Sequence, residues 1–278
     1  VDAYRKLRNT LRYLLGALDG FTEAEKLPVE EMPELERWVL HRLVEMDEHL
    51  RKQANGFDFN PYYTALHSFC INDLSSFYFD IRKDSLYCDA KDSIRRRACR
   101  TVMDLLFHCL TKWLAPILVF TAEEAWQARF PSEDGSVHLE LWPEIPADWR
   151  NDELAAKWKR IREVRSVVTG ALEIDRREKR IGASLESAPT LYVTESGDAQ
   201  LLATVNMAEI CITSALTVSL DQPPAEAFTL EEVAGVAVKT ARAEGCKCQR
   251  CWQVLPEVGK SARQPDLCLR CEEVVNAA

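Results

Sequence analysis

Asp2-Ala3-Tyr4-Arg5-Lys6-Leu7-Arg8-Asn9-Thr10-Leu11-Arg12-Tyr13-Leu14-Leu15 opens the chain, and Tyr4, Leu7, Leu11, Leu14, Leu15 and Leu18 recur at helical spacing from the first turn. That period describes a helix with one apolar face turned towards a core. Apart from Asp2, no Ser, Thr or Asn start signal precedes it. A helix already under way at the first residues suggests a chain cut from a longer one. No basic-then-apolar leader is visible.

The pattern continues outward from that helix. After an acidic, Pro-containing loop (Leu27 to Pro33), Leu35, Val39, Leu43, Met46 and Leu50 form one stripe, and Gly56 lies just past its end. Asn60-Pro61 reads as cap and first residue of a third helix carrying Leu66, Phe69, Asp73 and Phe77. A fourth helix is expected from about Lys91 to Trp113, with Ile94, Ala98, Leu105, Cys109 and Trp113 inward. Thr121-Ala122-Glu123-Glu124 reads as a capping box opening a fifth. A Pro-rich acidic connection, Phe130 to Trp149, leads to a last helix from Asp152 to Arg180. The period then shortens. Leu191-Tyr192-Val193, Leu216 to Leu220 and Val233 to Val238 read as strands, with a helix between the first two from Gln200 to Asn206.

The expected fold is mainly α. A helical bundle (1–150) is followed by a long basic helix with a small α/β unit (151–240), then a cysteine-rich module (241–278). The 278 residues exceed the roughly 100–200 that one domain usually holds. The formal charge of −9 argues against a uniformly basic nucleic-acid binder. The charge is segregated, however. Leu154 to Gly182 holds nine bases against four acids, Glu195 to Val238 seven acids and no base, and Lys239 to Cys271 seven bases against three acids. Met103 to Phe120 is broken by Asp104, His108, Lys112 and Pro116, short of the about 20 uncharged residues a spanning helix needs. It reads as a buried helix and a turn, and no membrane partner is expected.

Ten cysteines form two populations. Cys70, Cys88, Cys99, Cys109 and Cys211 are scattered through apolar segments as small core residues. Cys246, Cys248, Cys251, Cys268 and Cys271 crowd the far end, a clustering that favours a reducing cytoplasm and a metal over a disulfide framework. Cys248-Gln249-Arg250-Cys251 and Cys268-Leu269-Arg270-Cys271 are two C-x-x-C knuckles with sixteen residues between them. Two knuckles direct four thiolates at one ion, the closed tetrahedral set of structural zinc. Cys246 is an alternative partner for Cys248, but one intervening residue does not make the knuckle's turn, and Cys248 with Cys251 is preferred. Trp252 follows directly, and Arg250 lies inside the knuckle. An aromatic on so small a unit either stacks on an unpaired base or packs over the knuckle. No nucleotide-binding glycine loop, nucleophile elbow or H-E-x-x-H is present. His41, His49, His67, His108 and His138 are isolated. Asp73, Asp80 and Asp84 run beside Arg82 and Lys83, which suggests ordinary ion pairing.

Several of these segments carry a resemblance. Tyr4 to Leu15, Phe77-Tyr78-Phe79-Asp80-Ile81-Arg82-Lys83-Asp84, Trp113 to Glu124, Ile181-Gly182-Ala183-Ser184-Leu185-Glu186-Ser187 and Lys247-Cys248-Gln249-Arg250-Cys251-Trp252 resemble bacterial-type isoleucyl-tRNA synthetases. The helical motifs alone are shared with the valyl, leucyl and methionyl enzymes; the terminal C-x-R-C-W module narrows the resemblance to the isoleucyl family. The resemblance implies an anticodon-binding bundle, an α/β junction and a terminal zinc module that reads isoleucine tRNA. It implies one structural zinc on Cys248, Cys251, Cys268 and Cys271, and anticodon-loop contacts from Trp252 and Arg250. It also implies a basic first helix with Arg5, Arg8 and Arg12. ATP, magnesium, isoleucine activation and the editing of valine belong by resemblance to parts that this chain does not contain. No catalysis is therefore expected of it alone, and it is expected to be a monomer. The rival reading is a zinc-ribbon module that docks protein on a helical scaffold.

Overall fold

The computed structural model describes residues 2–277 and divides after Leu154 into two compact units. In the first, α1 (Asp2–Ala17), α2 (Glu34–Asn55), α3 (Phe59–Ser68), α4 (Asp80–Cys88), α5 (Ile94–Leu114) and α6 (Val119–Arg129) form the bundle. A stretch of wider i→i+5 bonding, Phe69–Phe79, joins α3 to α4. The helix α5 touches α1, α2, α4 and α6. Its Ala98, Cys99, Val102, Met103, Leu106, Phe107, Leu110, Trp113 and Leu114 are all fully buried. Being enclosed on most sides, α5 needs more than the single stripe expected of it. Leu105 is only half-buried, and Ile94, expected inward, is 57% exposed. No helix among the described residues is long and apolar enough to cross a membrane.

The stripes of the other helices are mostly as their spacing predicts, except that Tyr4 of α1 is 45% exposed and Leu15 half-buried. Leu7, Leu11 and Leu14 of α1, Leu35, Val39, Leu43, Met46 and Leu50 of α2, and Leu66, Phe69, Asp73 and Phe77 further on are buried. The helix ends differ from expectation. The third helix starts at Phe59 with Asp58 at the cap position, so Asn60 and Pro61 lie inside its first turn. Proline costs nothing there, because the first N–H groups of a helix have no carbonyl to bond. The sixth helix starts at Val119, and Thr121 caps nothing. Its hydroxyl pairs with Tyr4 Oη at 3.0 Å, while Glu124, the acid of the box, accepts from Arg8 Nη2 at 3.3 Å. Tertiary partners have taken both halves of the expected capping box. At the end of α2 the left-handed residue is Phe57 (φ 54), not Gly56.

Arg82 also departs from expectation. Beyond the acids beside it in sequence, it reaches α2. Its Nε and Nη2 donate to the two oxygens of Glu36 at 2.7 Å each, and Tyr78 Oη donates to Glu36 Oε1 at 3.1 Å. Glu36 is fully buried and Arg82 nearly so. Asp73 accepts instead from Arg42 (3.0 Å), and Asp80 from Lys83 (2.8 Å).

His108 packs against Phe130, with ring centroids 5.2 Å apart, and lies 3.7 Å from Asp104 Oδ1. Burial, together with Arg129, Lys112 and Lys26, holds its pKa below the ordinary value against the pull of Asp104. The folded state then binds fewer protons than the unfolded chain, whose histidine titrates near about 6.5. The stability from keeping His108 neutral is complete above that pH and is lost as pH falls through it. Urea midpoints are expected to fall between pH 7.5 and 5.5, and His108→Gln to shrink the difference. An unchanged difference would assign the acid sensitivity elsewhere.

The second unit is built on α7 (Asp152–Arg177), β1 (Thr190–Val193), α8 (Ser196–Ala203), α9 (Met207–Cys211), β2 (Thr217–Ser219) and β3 (Val236–Lys239). The central strand β1 pairs in parallel with β2 and antiparallel with β3, with Leu191 opposite both Val218 and Val238. Trp158, Ile161, Val164, Val167, Val168, Ala171 and Leu172 of α7 are buried. A Cβ on Gly170 would lie 2.9 Å from the Phe228 ring, so only glycine lets that ring pack so closely. The expected helix between the first two strands is two short ones, separated by a turn in which Asn206 caps α9 through the Glu209 N–H. Part of the basic stretch is internal structure: Arg160 binds Asp198, Arg165 donates to the Ile210 carbonyl at 2.8 Å, and Arg180 donates to Asp175 at 2.7 Å. Lys159, Arg177 and Lys179 are exposed.

Candidate metal centre and nucleic-acid interface

The cysteine module begins with a hairpin, β4 (Cys246–Lys247) and β5 (Val254–Leu255), and ends with α10 (Leu269–Ala277). Between the strands the first knuckle turns through a Trp252 N–H to Cys248 carbonyl bond of 2.9 Å and a Cys248 N–H to Gln253 carbonyl bond of 2.8 Å. The second knuckle runs into α10. The two are tied by Gln249 N–H to the Asp266 carbonyl at 3.0 Å and by Cys268 N–H to Cys248 Sγ at 3.3 Å. Local N–H groups therefore aim at sulfur before any metal is considered.

The sulfurs of Cys248, Cys251, Cys268 and Cys271 lie within 4.8 Å of one another, and all four residues are buried. Cys251 and Cys268 Sγ are 3.7 Å apart. A tetrahedron of Zn–S bonds near 2.3 Å has sulfur–sulfur edges of about 3.8 Å, so the cage fits zinc with little adjustment. Burial raises the Cys248 thiol, but N–H groups of Cys251, Cys268 and Arg250 overcome this and bring it to about 6. Burial pushes the Cys268 thiol up, to about 11. Four clustered buried thiolates repel one another, so a bound cation would stabilise the set, and the arrangement suits a metal better than four separate thiols. Cys246, the alternative partner, is exposed on β4 and outside the cluster.

Gly245 fixes the hairpin. Its φ is +113, and a Cβ there would sit 2.3 Å from the Leu255 carbonyl group. Gly245→Ala should cost about 1–3 kcal/mol from the overlap alone, with backbone strain in addition. Zinc affinity measured by chelator competition should drop at least tenfold; unchanged affinity would mean that the hairpin does not shape the cage.

The residues expected to make contacts are placed as follows. Trp252 is 61% exposed and sits in the left-handed region at φ 67, a conformation that costs a non-glycine residue about 1–2 kcal/mol. Most of the Trp252 surface is open to solvent, as stacking on a base requires. Lys247 Nζ lies 5.7 Å from the ring centroid. Motif spacing does not single out Lys247, although its place one residue before the knuckle and opposite Val254 in the hairpin is the signal that finds it. Arg250 is half-buried, with Nη1 3.7 Å from Cys271 Sγ, so its charge offsets the anionic cage. In the first unit Arg5 and Arg12 are exposed on α1, Arg5 lying 3.5 Å from Asp2, while half-buried Arg8 lies 3.3 Å from Glu124.

Comparison with known proteins agrees with this geometry. The profile of a family described as the anticodon-binding domain of tRNA ligase matches residues 36–192, and one described as the zinc finger found in FPG and IleRS matches residues 245–274. The chain is 57% identical over 272 residues to an isoleucine–tRNA ligase of Ruegeria pomeroyi and 53% identical over 270 residues to one of Agrobacterium fabrum. These alignments cover 98% and 97% of this chain but 28% of each ligase. The zinc-finger match and the four-sulfur cage together support one structural zinc. A helical bundle matched over residues 36–192, a four-cysteine module and similarity to isoleucine–tRNA ligases along nearly the whole chain lead to one conclusion: the chain belongs to the anticodon-binding domain family of tRNA ligases.

Proposed function

We propose that this chain recognises the anticodon stem-loop of isoleucine tRNA, as part of an isoleucine–tRNA ligase whose ATP-dependent chemistry lies outside it. The observation that carries the reading is Trp252, held outward in a strained backbone conformation on a rigid zinc knuckle beside Lys247. An exposed ring on a preordered turn stacks on an unpaired base at low entropic cost, and such stacking is worth about 1–3 kcal/mol per base. Cys248, Cys251, Cys268 and Cys271 hold the zinc, which presents the ring and takes no part in chemistry. Arg250 and Lys247 supply positive charge at the knuckle. Arg5, Arg8 and Arg12 supply it on α1, where Arg8 must exchange Glu124 for phosphate. The chain acts as a monomer in the cytoplasm and has no ligase activity by itself.

The test is a titration with isoleucine tRNA and with the same tRNA carrying a changed anticodon, at two salt concentrations. Trp252→Ala should weaken binding of the cognate tRNA by about 5–150-fold, following the stacking range, and barely affect the swapped one. Trp252→Gly should lose the same discrimination while relieving the backbone strain, so that the module melts no lower than the parent. Equal losses on both tRNAs would reduce Trp252 to packing. A flat salt dependence would favour the protein-docking alternative, because phosphate contacts release counterions.

A further inference from the structure

The two knuckles end differently, and the difference falls on one sulfur. After the first, the chain leaves through Trp252 and Gln253, and the Gln253 N–H turns back onto Cys251 Sγ. Cys248 Sγ takes the N–H groups of Arg250, Cys251 and Cys268, and Cys268 Sγ takes that of Cys271. After the second knuckle the chain continues instead as α10. Helical bonding runs from each N–H to the carbonyl four residues back. The Glu273 N–H, which corresponds to that of Gln253, is thereby directed along the helix to Leu269 and not to Cys271. A side chain of the first knuckle reaches this sulfur: Arg250 Nη1 lies 3.7 Å from Cys271 Sγ. Cys271 is fully buried and Arg250 half-buried.

We infer that Arg250 is a positioning residue of the metal cage: its guanidinium gives Cys271 the N–H donor that α10 withholds, and so helps to hold the metal. Two physical reasons favour an arginine in that place. A charge-assisted hydrogen bond is roughly twice as strong as a neutral one, so one guanidinium does what a backbone N–H does at the other sulfurs and more. Four thiolates also outweigh the charge of a divalent ion, and a cation beside them offsets part of the excess. Groups that hydrogen-bond to metal ligands orient them, and losing such a group typically lowers metal affinity by about 10–100-fold. The resemblance implies an anticodon-loop contact for Arg250; the geometry gives its side chain a role that exists without RNA. The inference rests on the four-sulfur cage and not on the tRNA reading.

The test uses the 278-residue chain without RNA. Chelator competition should show zinc held about 10–100-fold less tightly by Arg250→Met, which keeps an apolar stem and loses the donor. Arg250→Lys keeps a charged donor and should recover part of the loss. Arg263→Met, at an exposed arginine of the same module, should hold zinc as the parent does. Cobalt in place of zinc supplies a readout that packing does not move. A thiolate that loses its hydrogen bond gives up electrons more readily, so the sulfur-to-cobalt charge-transfer band of Arg250→Met should move to longer wavelength. The band of Arg250→Lys should lie between that of Arg250→Met and that of the parent. An unmoved band overturns the proposal whatever the affinity, as does zinc binding by Arg250→Lys no tighter than by Arg250→Met. Should Arg250→Met take up no metal, zinc retained by Arg250→Lys supports the proposal and zinc lost from both overturns it. No tRNA enters these measurements, so this inference and the proposed function can each fail without the other.

Discussion

Chelation of the zinc is expected to unfold residues 245–274 while the bundle of the first unit keeps its melting temperature. The module has little else to hold it. Its strands are two residues each, and among its larger apolar residues Val258 alone is nearly covered, while Trp252, Leu269 and Val275 are exposed. Zinc binding by such modules contributes roughly 10–16 kcal/mol of apparent free energy, more than a core of this size supplies. Cys268→Ser should have the same effect as chelation, because it removes one thiolate and leaves the cage open on one side. Cys246→Ser should leave the metal bound, since that residue lies outside the cluster. Metal analysis should give one zinc per chain for the parent and for Cys246→Ser. The near-ultraviolet signal of Trp252 should collapse on chelation. A module that keeps that signal without metal, or a parent with no zinc, would refute this account.

The second large effect is expected at Glu36 and Arg82. Arg82→Met leaves the Glu36 carboxylate fully buried with only the Tyr78 hydroxyl as donor. Breaking one side of such a pair costs about 3–5 kcal/mol, chiefly because the surviving charge has lost its partner. Glu36→Gln with Arg82→Met should recover most of the loss, since a neutral amide still accepts from Tyr78 and no charge is stranded. Urea denaturation of the two single variants and the double variant measures this. Losses that add in the double variant would mean that the two residues act independently and that the pair is not the unit of stability.

Local spacing specified most of the bundle helices, most of their buried stripes and the cysteine pairs that meet in the cage. An apolar residue every three or four positions marks a buried face, and a C-x-x-C knuckle closes on itself through bonds between near neighbours. The same short segments carried the resemblance to isoleucyl-tRNA synthetases, which the later matches support. Packing between elements settled everything that depends on which distant group arrives first. Thr121 and Glu124 read as a cap until Tyr4 and Arg8 claim them. Arg82 sits among nearby acids, yet donates to a buried carboxylate 46 positions away. Arg160 and Arg165 count as surface charge in a tally of α7 and prove to be fastenings for α8 and α9. Spacing alone leaves Trp252 to stack or to pack; the tertiary structure leaves it 61% exposed. One cause runs through every case: periodicity reports which face of an element is buried, whereas the partner of a polar or aromatic side chain is fixed only when separate elements meet.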